Sequence, residues 1–254
     1  MATAGAPVLS TRGLTIRFGG HVAVDRVSLD VPPGALKSVI GPNGAGKTTL
    51  FNLLSGQYRP SEGRIVFKGR DITRVSAAAR TRLGIGRSFQ LTNVFPTLTV
   101  LENVRLAVQT RRGLGLTAWR DSGSLPDLED RAYEILEAVL LEERWDAAAG
   151  ELAHGEKRKL ELGILLGLEP ELLLLDEPTA GMSLEEVPTI IALIERIKLA
   201  RERTILLVEH KIDMVMALSD TIAVLKDGRL IADDAPEAIG RNPEVQAAYF
   251  GGRR

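Results

Sequence analysis

The sequence contains no cysteine. That excludes disulfides, thiolate metal sites and thiol catalysis, and it fits a reducing compartment. Bulk charge is missing too: 32 basic against 33 acidic side chains leave a formal −1. Such a balance gives no general attraction to nucleic acid or anionic lipid, so no nucleic-acid partner is expected and local basic clusters read as solvated faces. No apolar run approaches the roughly 20 residues needed to cross a bilayer. The start, "MATAGAPVLSTRGL", lacks both the basic opening and the long apolar stretch of a secretory signal. The expectation is a soluble protein that meets any membrane only through a partner. Histidine is scarce, with three in all, so each one has to be weighed by its position.

What is present is an ordinary globular composition, 44% hydrophobic and 26% charged, over 254 residues, enough for one large α/β domain. "VLSTRGLTIRF" and "VAVDRVSLDV" read as strands, with Val22, Val24, Val27, Leu29 and Val31 forming a half-buried ribbon that Pro32, Pro33 and Gly34 close. "ALKSVI" is a short buried strand. "GPNGAGKTT" follows it directly, then "LFNLLSG" as a helix stopping at Gly56. "GRIVFKGRDI" is a hairpin. Residues 97–148 are mostly helical, interrupted by an irregular insertion, "RRGLGLTAWRDSGSLPD". "ELLLLDEPTAG" is an apolar strand ending in acids, after which Val187, Ile190, Ile191, Ile194 and Ile197 share a helix face. "TILLVEH" is another buried strand, and "IAVLKDGRLIAD" a hairpin turning at Asp227 and Gly228. Strands and helices in this order predict a mostly parallel sheet flanked by helices, with ligands at the carboxyl ends of the strands.

The chemistry falls at those ends. Gly41 to Thr48, "GPNGAGKT", fits the phosphate-loop pattern G-x-x-x-x-G-K-[ST] in the strand-to-helix setting it requires. Its glycines let backbone N–H groups wrap phosphate oxygens. Lys47 supplies a compact charge to the β- and γ-phosphates, and the Thr48 hydroxyl is an expected Mg²⁺ ligand with Thr49 beside it. Asp176, closing "LLLLD", is a second candidate for the Mg²⁺ shell, since Mg²⁺ takes few carboxylates together with phosphate and water. Glu177 is placed to orient and deprotonate an attacking water. His210, ending "LLVEH", is a candidate γ-phosphate sensor, and Gln90 in "RSFQ" offers an amide oxygen to Mg²⁺ or water.

Taken in order, these motifs make the chain resemble the ATP-binding subunit of an ABC transporter over essentially its whole length. Finer features, "FGGHVAV", "FQLTNVFPTLTVLENV" and "NPEVQAAYFG", resemble the branch that serves branched-chain amino acid and urea or amide importers. The resemblance implies an α/β fold: a P-loop NTPase (RecA-like) core of mostly parallel sheet, with an antiparallel β subdomain and a helical subdomain. It implies a single ATPase domain over residues 8–250, the core and β subdomain at about 8–88 and 163–250 and the helical part at about 89–162. It implies ATP and Mg²⁺ as ligands, with the nucleotide held by Gly41, Pro42, Asn43, Gly44, Ala45, Gly46, Lys47, Thr48 and Thr49. Phe18 in "RFGG" falls where the family stacks an aromatic on adenine, with Val24 on the same face. The implied partners are integral membrane permease subunits, a second ATPase subunit and, indirectly, a solute-binding protein, with this chain peripheral on the cytoplasmic face of the membrane.

The turn "LAHGE" stands where the family usually has LSGGQ. There the resemblance implies a helix opening that reaches across a dimer to the γ-phosphate held by the other subunit, through backbone N–H groups and the helix dipole. Ala153 replaces the serine, His154 a glycine and Glu156 the glutamine, while Gly155 is kept; Ser183 in "AGMS" stands for the usual aspartate. With this chain's phosphate loop regular and its helix opening altered, a heterodimer with a related ATPase is expected, a homodimer being the alternative. A soluble ABC ATPase of DNA repair or translation commonly carries coiled-coil insertions or tandem domains, which this sequence lacks. A nucleotide-binding regulator would be expected to lose Glu177 or Lys47, and both are present.

Overall fold

The computed structural model describes residues 6–88, 94–113 and 125–250. The chain opens with two long antiparallel strands, β1 (Leu9–Phe18) and β2 (His21–Val31), paired up to Phe18 and His21 across a two-residue turn. On β2 the inward residues pass from an even position, Val24, to odd ones, Val27, Leu29 and Val31. The extra residue is absorbed where Arg26 takes a left-handed φ of 52° and its N–H turns to the Thr15 hydroxyl at 3.0 Å. The irregular valine spacing in the sequence is therefore a β-bulge.

Next come β3 (Leu36–Ile40), wholly buried, and α1 (Lys47–Ser55), which Gly56 terminates in a left-handed conformation with its N–H on the Leu53 carbonyl. β4 (Glu62–Phe67) and β5 (Arg70–Asp71) form a hairpin, followed by α2 (Ala77–Arg82) and β6 (Ile85–Arg87). Helix α3 (Val100–Arg111) starts at a complete capping box, with Thr99 and Glu102 each accepting the other's backbone N–H. Helix α4 (Leu125–Ala138) includes Leu125, Pro126 and Asp127, which sequence reasoning assigned to the irregular insertion; proline fits the first turn of a helix, where its missing N–H costs nothing. The remaining elements are α5 (His154–Gly167), β7 (Leu172–Asp176), α6 (Val187–Leu199), β8 (Thr204–Val208), α7 (Ile212–Leu218), β9 (Thr221–Lys226), β10 (Arg229–Asp234), α8 (Pro236–Arg241) and α9 (Pro243–Phe250). On α6 the buried stripe is Val187, Ile190, Leu193 and Ile194, so Leu193 takes the place expected of Ile191 and Ile197, which are only half-buried. The β9–β10 hairpin turns at Asp227 and Gly228, both with positive φ.

Two sheets result. One is antiparallel, in the order β2-β1-β4-β5; the other is six-stranded, in the order β10-β9-β3-β8-β7-β6. In the second, β3 runs parallel to both β8 and β9, and β7 parallel to β8, with β10 antiparallel at the edge. Backbone contacts divide the chain into two units. The first holds the antiparallel sheet and all of the other but most of β6: residues up to Ile85, Glu171–Glu177 and from Ile197 on. Its core joins Leu9, Leu14, Val27 and Ile65 of the antiparallel sheet to Val39, Leu174, Leu206 and Leu225 of the parallel one, through Leu50, Phe51 and Leu54 of α1. The second unit, Gly86–Pro170 and Pro178–Arg196, packs α3, α4 and α5 together. Because α5 is one continuous helix against α3 and α4, the division lies beyond Gly167 and not at the residue 162–163 boundary drawn from sequence.

Candidate functional site

The phosphate loop is fixed by what surrounds it. β3 delivers Gly41, where a side chain would run into the Leu225 carbonyl. At the other end Gly46 has a φ of 96°, and a Cβ there would collide with the Ala23 carbonyl. Only glycine fits such a position. Between them the loop is tied by Ala45 N–H to the Pro42 carbonyl and by Gly228 N–H to the Ala45 carbonyl, each at 3.2 Å. Lys47, the first residue of α1, is buried, and its ammonium donates to the Gly41 and Pro42 carbonyls at 2.7 and 3.1 Å. Burial pulls its pKa below the ordinary lysine value, opposed by the charges of Glu177 and Asp176. An ammonium held by two neutral carbonyls with two carboxylates nearby is poised to exchange carbonyl for phosphate oxygen.

Parallel register brings the other candidates to the same edge. Val208 of β8 is opposite both Val39 of β3 and Asp176 of β7. Asp176 is buried at the strand end. Glu177 then turns into the left-handed region at φ 50°, donating its N–H to the Val208 carbonyl at 2.9 Å. A non-glycine residue there stores strain of about 1–3 kcal/mol, the kind found where side-chain direction matters. The turn sets the Glu177 carboxylate 2.8 Å from His210 Nε2. An ionised carboxylate can only accept, so Nε2 carries the proton in this contact. Glu209 is buried, and its carboxylate accepts the His210 N–H at 2.9 Å, fixing the residue that carries the imidazole.

These groups share one cleft of about 400 Å³, lined by Phe18, His21, Ala23, Asn43 to Thr49, Glu177 and His210. Phe18 is 47% exposed at its mouth and meets Tyr58 edge-on, ring centres 5.5 Å apart and planes at 73°. Val24, expected on that face, is instead fully buried; the alternation of β2 turns Ala23 to the cleft and Val24 to the core. His21, Ala23, Tyr58 and Glu209 were not singled out in the sequence. Only Glu209, an acid beside His210, carried a readable signal.

For a metal, the available donors are the Thr48 hydroxyl and the Asp176 carboxylate, hard oxygens of the kind Mg²⁺ accepts while keeping water and phosphate as its other ligands. No group of three or more His, Asp or Glu able to enclose a metal occurs among the described residues. A cation with few protein ligands fits that set. Gln90 lies outside the described residues.

The "LAHGE" residues form a separate cluster in the second unit. Ala153 is the N-cap of α5 in extended conformation, and the Glu156 carboxylate reaches back to accept its N–H at 2.9 Å. Alanine offers no side-chain acceptor, so only this half of a capping box exists. Glu156 also lies 3.5 Å from the Arg144 guanidinium. His154 sits against Gly181. Gly155 donates its N–H to Glu186 Oε1 at 3.1 Å, and a side chain at Gly155 would strike that carboxylate. Glu186 Oε2 in turn accepts the N–H and hydroxyl of Ser183, both at 3.0 Å. Ser183 and Glu186 went unremarked as a pair, although S-x-x-E before an apolar run is a readable capping signal.

A glycine loop at a strand–helix junction, a buried lysine inside it, and an acid pair at the end of β7, the next strand but one in the same sheet, together define a nucleoside triphosphatase of the phosphate-loop class. The family pattern described as "ABC transporter" matches residues 24–180, and one described as "Branched-chain amino acid ATP-binding cassette transporter" matches residues 229–254. The chain belongs to the ABC transporter ATPase family. It is 38% identical to the high-affinity branched-chain amino acid transport ATP-binding protein LivG of Escherichia coli K12, over 96% of this chain and 98% of that one. It is 40% identical to BraF of Pseudomonas aeruginosa, described in the same words, over the same shares. Among solved structures, a nucleotide-free ATP-binding cassette from an ABC transporter superposes with a TM-score of 0.82 at 31% identity, over 96% of this chain and 99% of that one. The ADP conformation of an ABC transporter cassette matches with the same figures.

Proposed function

We propose that this chain binds and hydrolyses ATP to energise an importer of branched-chain amino acids or related amides. The relatives named above and the match at residues 229–254 support the solute class. The observation that carries the catalytic reading is the Glu177–His210 pair at the mouth of the Lys47 loop. Phe18 stacks on adenine, the loop N–H groups and Lys47 take the β- and γ-phosphates, and Glu177 accepts the proton of the attacking water. General-base assistance of this kind contributes about 10²–10⁴ in rate. His210 holds the Glu177 carboxylate and reaches the γ-phosphate from the same ring. Thr48 and Asp176, with Gln90 as the further expected ligand, would hold Mg²⁺, and the cation would supply positive charge to the phosphates.

The reaction is completed in a dimer, where the Gly155 turn of one ATPase faces the γ-phosphate on the loop of the other. Ala153 and His154 stand at that turn, and Glu156 secures its cap. The dimer is a heterodimer, because the loop here follows the common pattern while the turn and Ser183 depart from it. The chain works on the cytoplasmic face of the membrane, docked on permease subunits that receive solute from a binding protein; no helix among the described residues is long and apolar enough to cross a bilayer itself. Co-expression with the permease and ATPase genes adjacent to this one tests the assembly. A complex that copurifies and takes up leucine in an ATP-dependent way is expected; a chain that hydrolyses ATP yet joins no membrane protein would contradict it.

A further inference from the structure

The carboxylate of Glu186 occupies the opening of α5. Its two oxygens are divided between two segments: Oε1 takes the Gly155 N–H at 3.1 Å, and Oε2 takes the N–H and hydroxyl of Ser183, both at 3.0 Å. The Ser183 hydroxyl reciprocates by accepting the Glu186 N–H at 3.3 Å. The Ser183 contacts, together with the Gly155 N–H and the nearby His154 imidazole, hold the Glu186 carboxyl below the usual carboxylate range, so it is ionised at neutral pH. Ser183 and Glu186 thus form a reciprocal box that needs only one carboxylate oxygen. The second oxygen is spent on another helix. A free backbone N–H in the first turn of a 14-residue helix is a place where an anion is stabilised by both hydrogen bond and dipole, and here the chain supplies that anion itself.

We infer that Glu186 is a displaceable internal ligand of the α5 opening: its carboxylate holds the Gly155 N–H until a γ-phosphate bound to the partner ATPase takes its place, so that Glu186 sets how much ATP is needed to complete the composite site. The inference rests on the reading of α5 as the element that meets the partner's nucleotide. One consequence is competition. The turn is free for phosphate only in the fraction of molecules whose carboxylate has let go, and the apparent affinity is reduced by that fraction. A second consequence is coupling. When Oε1 leaves Gly155, the link between the α5 opening and the Ser183 turn is cut, while the Ser183–Glu186 box survives. Glu186 is in this sense a positioning residue.

A purely structural brace and a displaceable ligand predict opposite signs. Glu186→Gln keeps an oxygen able to accept from Gly155 or Ser183 but removes the charge that makes it compete with phosphate. Measured on the complete complex, with its permeases and both ATPase subunits, Glu186→Gln should lower the KM for ATP about 3- to 10-fold, with kcat changed less, as expected when a charge-assisted bond becomes neutral. Ser183→Ala, which removes the hydroxyl contact to Oε2 and the acceptor of the Glu186 N–H while sparing the Ser183 N–H bond, should lower KM in the same direction by a smaller factor and guards against a Glu186 variant that fails to fold. A KM that is unchanged or raised in both variants would overturn the inference and leave a brace. A parent complex that shows no ATP turnover would instead overturn the reading of the composite site, and this inference with it.

Discussion

Arg80 should be one of the most expensive residues in the protein to replace, although it touches no part of the cleft. Its side chain is 1% exposed and has no carboxylate partner among the described residues. All five guanidinium N–H groups are used on backbone carbonyls: Leu53 and Leu54 at 2.6 and 2.7 Å, Ile72 at 2.7 Å, Val75 at 3.0 Å and Thr73 at 3.2 Å. Leu53 and Leu54 lie in the last turn of α1, so the cation also sits at the negative end of the helix that begins at Lys47. Burial pushes its pKa down to about 10, which leaves it charged throughout the neutral range.

Replacing Arg80 by Met keeps the volume and removes every donor. Leu53 and Ile72 retain a backbone N–H from Gly56 and Val75; Leu54, Thr73 and Val75 lose the guanidinium. Three desolvated carbonyls at about 1–3 kcal/mol each, less the recovered cost of burying a cation, give a loss of about 3–5 kcal/mol. For a chain of this size that is a fall in Tm of about 6–20 °C. Arg80→Lys should lose about 2 kcal/mol despite keeping the charge, because an ammonium has three donors where five acceptors wait. Thermal and urea unfolding of the purified chain measure both. A Tm within 2 °C of the parent for Arg80→Met would refute the reasoning, as would a lysine variant indistinguishable from the parent.

Phe18→Ala should weaken ATP binding by about 1–3 kcal/mol, the contribution of a base–aromatic stack, and Phe18→Trp should be nearly neutral; calorimetric titration with a non-hydrolysable analogue decides it, and an unchanged affinity for Phe18→Ala would make the ring a partner of Tyr58 only. Gly46→Ala should abolish tight nucleotide binding while the chain still folds, because the new Cβ strikes the Ala23 carbonyl and the backbone at φ 96° is strained for alanine; retained affinity within about threefold would count against the loop geometry. Gly155→Val should cost transport by expelling the Glu186 carboxylate and blocking approach to the turn, whereas Ala153→Ser should do little harm; uptake by the assembled complex separates the two.

Much of this molecule could be read before its structure. Short, mainly apolar runs made β3, β7 and β8 legible to within a residue or two, most plainly β7, because a strand buried on both faces leaves no other use for "LLLL" before an acid. The phosphate loop was legible because its glycines answer to backbone geometry, and geometry at Gly46 admits nothing else. Features that depend on distant partners stayed hidden. Arg80 lies in "AAARTR", where nothing local sets it apart from Arg82, and only the fold brings five carbonyls around it. Val24 was misplaced by one residue because the bulge at Arg26 is invisible until β1 pairs with β2. Glu186 was hidden by being ordinary: an acid before a helix reads as a cap, and half of its carboxylate is one.

The central claim is that Glu177 activates water on ATP bound at the Lys47 loop and that this step drives import. Its most direct measurement is ATP hydrolysis and leucine uptake by the reconstituted complex in which this chain carries Glu177→Gln, alongside nucleotide binding by the same preparation. The account predicts that binding is kept, that hydrolysis at this chain's site falls by about 10²-fold or more, and that uptake falls with it. Hydrolysis and uptake within a few-fold of the parent, with binding intact, would contradict it.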